Sequence, residues 1–106
     1  MHVVTRFPTM SSTDLLISTQ AQDDWRQILH YTWQTWGETQ RDTYDEVIWN
    51  ALEHIRRFPE IGHPAPGRSG EREYVLRHHT IAYQFDAQVN AVTILRIISN
   101  RRRRPR

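Results

Sequence analysis

The period of the apolar residues changes once along this chain, from that of helices to that of strands, and the change falls on a segment that neither can cross. Residues 59–70 hold Pro59, Gly62, Pro64, Pro66, Gly67 and Gly70. Proline removes a backbone donor and glycine loosens the chain, so this stretch reads as a surface loop. Before it, Ala21, Trp25, Ile28, Leu29, Thr32 and Trp36 fall on one helical face, as do Tyr44, Val47, Ile48, Ala51, Leu52 and Ile55. Each stripe predicts an amphipathic helix, over residues 20–36 and 38–58. Gly37 separates the two, which makes an antiparallel hairpin.

The ends agree with this pattern. Ser18 or Thr19 is placed to cap the first helix, and Asp23 and Asp24 are expected in its first turn, at the positive end of the dipole. Arg56 and Arg57 close the second helix and Pro59 stops it. Ahead of the hairpin, residues 15–18 form a short apolar run suited to a strand. After the loop come three β-rich runs, 72–77, 79–85 and 91–99, the last two joined through residues 86–90 as a β-hairpin. The last run is apolar at both parities, as expected of a central strand covered on both faces. If Leu95 and Ile97 face the helices, Arg96 shares the opposite face with Ile94 and Ile98. Residues 1–13, with Pro8 and a Ser/Thr cluster, are expected as a flexible arm, and Met10 competes with Met1 as the start. A single domain over residues 14–100 and a basic tail over 101–106 complete the division.

With 106 residues, one hydrophobic core is available. No cysteine is present, which excludes disulfides and thiolate metal sites. His30, His54 and His63 lack a helical partner at metal-binding spacing, so neither a metal nor a cofactor is expected. The apolar runs are too short to cross a bilayer, and the N-terminus lacks a signal-peptide pattern, so a soluble, cytoplasmic protein without membrane contact is expected.

The net charge is only +2, but it is unevenly placed. Residues 1–55 carry three arginines against eight acids, and residues 56–106 carry eleven against four. A cationic second half calls for an anionic partner, either nucleic acid or an acidic protein segment. Every base is arginine. Codon usage in a GC-rich genome explains that more readily than selection for planar, permanently charged groups does.

The stretch AQDDWRQILHYTWQTWGETQRDTYDEVIWNALEHIRRFPEIGHP resembles the helical hairpin of ParE-type toxins: an acid after an alanine, an Ile, a Tyr, Trp-Gly, a Tyr in the second helix and a Pro-x-Ile-Gly exit. REYVLRHHTIAYQF and VTILRIISNRRRRP are similar to the family's arginine-bearing strand, its His-x-Ile-x-Tyr strand and its final Ile-Leu-Arg-Ile strand with a basic tail. Over residues 15–105 the chain thus resembles the RelE/ParE superfamily of type II toxin–antitoxin systems, to which plasmid stabilisation proteins belong, and its ParE-like branch in particular.

That resemblance implies an α+β fold of order β-α-α-β-β-β, an antiparallel sheet with the helical hairpin on one face. It also implies a cognate antitoxin, with operator DNA contacted only through it, in a homodimer or a heterotetramer with the antitoxin. The ParE-like branch implies poisoning of DNA gyrase and growth arrest. The RelE-like branch implies ribosome-dependent cleavage of mRNA. A third reading is an inactive homologue that only binds antitoxin and regulates transcription.

RNA cleavage by 2′-hydroxyl attack needs a base, an acid and cations, and arginine supplies only the cations. No lysine is present, and Ser99 stands where many relatives carry a histidine after the last strand. An enzyme is therefore not favoured. For a nuclease, the candidates are His79, Tyr83, Arg77 and Arg96, with His78 and Tyr74 behind them. Tyr83 reads more readily as a core tyrosine. For target or antitoxin binding, the candidates are Arg72, Arg77, Arg96, Arg101, Arg102, Arg103 and Arg104, with Trp33 and Trp49, which lie off the core stripes. Each has a plainer reading: solvated charge for Arg72, Arg77 and the tail, and for Arg96 an ion pair with Asp86 or Glu73.

Overall fold

A computed structural model describes residues 4–7 and 13–102, of which residues 4–7 and 102 are described by their backbone alone. The elements run β1 (Val4–Phe7), β2 (Asp14–Ser18), α1 (Thr19–Trp36), α2 (Glu38–Arg57), β3 (His63–Pro64), β4 (Glu71–Val75), β5 (His79–Asp86) and β6 (Ala91–Ser99), then one 3₁₀ turn, Asn100–Arg102. This is the expected α+β architecture, with each helix and main strand within two residues of its predicted bounds.

The sheet order is β1-β2-β6-β5-β4-β3. Three details differ from expectation. Val4–Phe7, part of the segment expected as an arm, pairs antiparallel with β2; its Val-Thr-Arg-Phe composition suits a strand, but it is too short to show periodicity. The sheet is mixed, because β2 runs parallel to β6. Two residues of the proline-rich loop, His63 and Pro64, pair with β4 as an edge strand, a place where proline is tolerated.

Ser18 caps α1, its hydroxyl accepting the Ala21 N–H at 3.0 Å. Gly37 joins the helices at φ 95, where a side chain would be strained. Trp36, expected on the core stripe, is the last residue of α1 and 70% exposed.

The core lies between the helical hairpin and one face of the sheet: Leu15, Ile17, Ile81, Tyr83, Val92, Ile94 and Ile97 from the strands, Ala21, Ile48, Ala51, Leu52 and Ile55 from the helices. A register shift makes this row possible. Ala82 pairs with Arg96 but Tyr83 pairs with Ile94, so Leu95 is an extra residue on β6. The bulge inverts the parity of the strand, and Ile94 and Ile97 are both buried. Apolar residues at both parities in β6 reflect this bulge, and the expected alternation, with Ile94 opposite Ile97, is corrected.

Candidate functional site

β2 ends at Ser18, and its last pairing with β6 is Ile17 to Ile94. Beyond that point one edge of β6 meets α1 instead of a strand. Ser18 Oγ donates to the Leu95 carbonyl at 3.0 Å. Asp24 Oδ2 accepts the Ile97 N–H at 2.9 Å and Arg96 Nε at 2.7 Å, while Arg96 Nη2 reaches Asp24 Oδ1 at 3.2 Å. Asp24 is buried and Arg96 half-exposed. The hydrogen bond to the carboxylate holds the guanidinium pKa still higher than usual. Two expectations are corrected here: the partner of Arg96 is neither Asp86 nor Glu73, and Asp24 lies in the second turn of α1, satisfying the bulged strand rather than the helix dipole.

Tyr83 is fully buried. Its hydroxyl donates to the Pro59 carbonyl at 2.8 Å and accepts the Gly62 N–H at 2.8 Å. Burial raises its pKa. Arg72 works on the same loop, its Nη1 donating to the Gly62 carbonyl at 2.6 Å and to the Glu60 carbonyl at 3.3 Å. Both residues thus tie residues 59–62 to the sheet. Gly62 is the only residue that fits between them, since a Cβ there would lie 2.7 Å from both Glu73 O and the Tyr83 hydroxyl.

His79 lies at the start of β5, four residues and roughly 13 Å from Tyr83 along the strand. Its Nδ1 is 2.5 Å from the Tyr44 hydroxyl of α2. Desolvation lowers the His79 pKa, with a further contribution from the charge of His78, and raises that of Tyr44 to about 12. Tyr74 meets His54 of α2, hydroxyl to Nδ1, at 2.9 Å. The four nuclease candidates therefore do not converge: Tyr83 is in the core, Arg96 is held by Asp24, His79 is paired with Tyr44, and Arg77 lies in the turn beyond β4.

That turn is where the sheet end becomes cationic. Arg77, His78 and Arg101 are exposed. Asn100, absent from the residues singled out in the sequence, joins the C-terminal turn to residues 76–78. Arg103 and Arg104 lie outside the described residues, as does the side chain of Arg102.

Trp33 is half-exposed and borders an open cleft of about 480 Å³ lined also by Arg26, Leu29, His30, Glu38 and Arg41. Trp49 is not a free aromatic: it packs against the core and stacks on Trp25, ring centroids 6.0 Å apart. Trp25 in turn donates from Nε1 to Asp45 at 2.9 Å.

Residues 15–104 match the model of the ParE toxin of type II toxin–antitoxin systems, parDE. The chain belongs to the ParE toxin family. A chain of the crystal structure of the toxin–antitoxin complex RelBE2 from Mycobacterium tuberculosis has the same fold, with a TM-score of 0.60 at 19% identity, over 81% of this chain and 95% of that one. Among curated proteins, none matches significantly. This ParE-family chain is thus a toxin of the RelE/ParE superfamily, and among its described residues no helix is long and apolar enough to cross a membrane.

Proposed function

We propose that this toxin poisons DNA gyrase, is neutralised in the cytoplasm by a cognate antitoxin, and is not a nuclease. The observation that carries the reading is the dispersal of His79, Tyr83 and Arg96. In-line attack on a phosphodiester needs an acid and a base within hydrogen-bonding reach of one phosphorus centre. Here the tyrosine hydroxyl is spent on Pro59 and Gly62, and the guanidinium of Arg96 on Asp24. A gyrase poison needs no proton transfer of its own, only a surface that holds its target, and the exposed arginines suit that role. The toxin–antitoxin context of the solved neighbour supports the antitoxin as partner.

Expression of the toxin alone tests this. The expected result is growth arrest with a DNA-damage response and intact messengers, relieved by the neighbouring reading frame that encodes the antitoxin. Cut messenger ends would replace this reading with the RelE-like one. Growth without arrest would leave only an antitoxin-binding module.

A further inference from the structure

Asn100 makes a hydrogen bond with each residue of the turn that follows β4, and one with β5. Its Nδ2 donates to the carbonyls of Leu76 and Arg77, each at 3.1 Å. Its backbone N–H donates to the His78 carbonyl at 2.9 Å, and its Oδ1 accepts the Thr80 hydroxyl at 2.6 Å. The turn is itself closed by Leu76 N–H to the His79 carbonyl at 2.7 Å. One side chain therefore locks the end of β6 to the β4–β5 turn. Together with the pairing of His79 with Ser99, this brings Arg77 and His78, and Arg101 more than twenty positions later, to one end of the sheet.

Neither Arg77 nor Arg101 meets a carboxylate among the described residues. No acid occurs after Asp86, and the sequence continues from Arg101 through Arg102, Arg103 and Arg104 to Arg106. Arginines in a row match a polymer with one charge on every repeat, and the planar guanidinium matches phosphate oxygens two at a time.

We propose that this end of the sheet binds the phosphodiester backbone of a nucleic acid, with Arg77 and Arg101 contacting phosphates and Asn100 as the positioning residue that brings them together. Its place in the toxin's action rests on the gyrase reading: the toxin would grip the DNA on which gyrase works as well as the enzyme. Asn100 acts through the arginines, carries no charge and touches no phosphate.

The test is fluorescence anisotropy of the full chain, without gyrase, against a short labelled DNA duplex, a single-stranded RNA and polyglutamate, across a salt series. Binding to duplex or RNA that weakens steeply with salt is expected, the stronger arm identifying the source of the phosphates. In the double variant Arg77→Gln/Arg101→Gln, whose sites are exposed, the slope of log affinity against log salt should become shallower by about two. Asn100→Ala should lower affinity several-fold at unchanged net charge, and also flatten the slope, which a general loss of stability in a still-folded protein would not do. An unchanged slope in the double variant, or tighter binding of polyglutamate than of either nucleic acid, would overturn the proposal. A supercoiling assay on the same samples separates it from the reading it rests on. Inhibition without nucleic-acid binding leaves gyrase as target and removes this inference; binding without inhibition does the reverse.

Discussion

Asp24 and Arg96 are 72 positions apart in the chain, and their side chains meet at 2.7 Å. The pair stands where β6 has lost its neighbouring strand, so the carboxylate does for Ile97 what a strand carbonyl would have done. The two partners are not equal. Arg96 is half-exposed and water can replace its carboxylate, whereas the Ile97 N–H is buried. Asp24→Ala should therefore lower unfolding stability by about 2 kcal/mol, the cost of an unpaired buried donor. Arg96→Ala should cost less, about 1 kcal/mol, because water can enter the half-exposed place of the guanidinium while the buried carboxylate keeps the Ile97 N–H. Urea denaturation of the two variants distinguishes them; equal losses would mean that the ion pair, not the backbone contact, is what matters.

Gly62 and Tyr83 form a second fixed point. In Gly62→Ala the new methyl group would meet a backbone carbonyl that cannot swing away, so a loss of about 2 kcal/mol or more is expected. Tyr83→Phe keeps the ring in the core but strands the Gly62 N–H, for a loss of about 1–3 kcal/mol. Both should increase proteolysis within residues 59–70 before global unfolding, read by limited digestion.

Acid should weaken the protein through His79. Its pKa is lowered in the folded state, so the neutral ring is favoured there and the unfolded chain takes up the proton first. Stability is full above the ordinary histidine pKa of about 6.5 and declines as pH falls from there through the folded value. His79→Gln should flatten this part of the stability profile. Tyr44 acts at the other extreme: because its pKa rises to about 12, stability is full below about pH 10 and is lost as pH rises towards 12. Denaturation midpoints across pH check both limbs.

Truncation separates fold from action. A chain ending at Ser99 loses Asn100 and with it the bonds to residues 76–78, and should melt several degrees lower. A chain ending at Asn100 keeps them, and should fold normally while no longer arresting growth. Full toxicity in the latter would remove any role for the arginine run.

The helices and main strands were legible because their periods are strong and their stops, Gly37 and Pro59, are local. What escaped the sequence depends on distant partners. The bulge at Leu95 hides in a strand apolar at both parities, a pattern that a central strand shares. Asp24 sits where a helix-dipole role is expected, and nothing near it in the chain reveals Arg96 or Ile97. Gly62 belongs to the Pro-x-Ile-Gly exit, but the reason for a glycine there, the approach of the Tyr83 hydroxyl, is a tertiary fact. Trp49 lies off the apolar stripe yet finds Trp25 on the neighbouring helix. Asn100 follows a strand as turn residues often do, and only the fold shows that it grips the turn after β4.

Whether this toxin acts on gyrase is decided by purified protein in a gyrase supercoiling assay, run beside ribosome-dependent messenger cleavage on the same sample. Inhibited supercoiling and intact messenger are the expected result. Cleaved messenger with normal supercoiling would contradict it, and would make His79 and its partner Tyr44 the first residues to substitute.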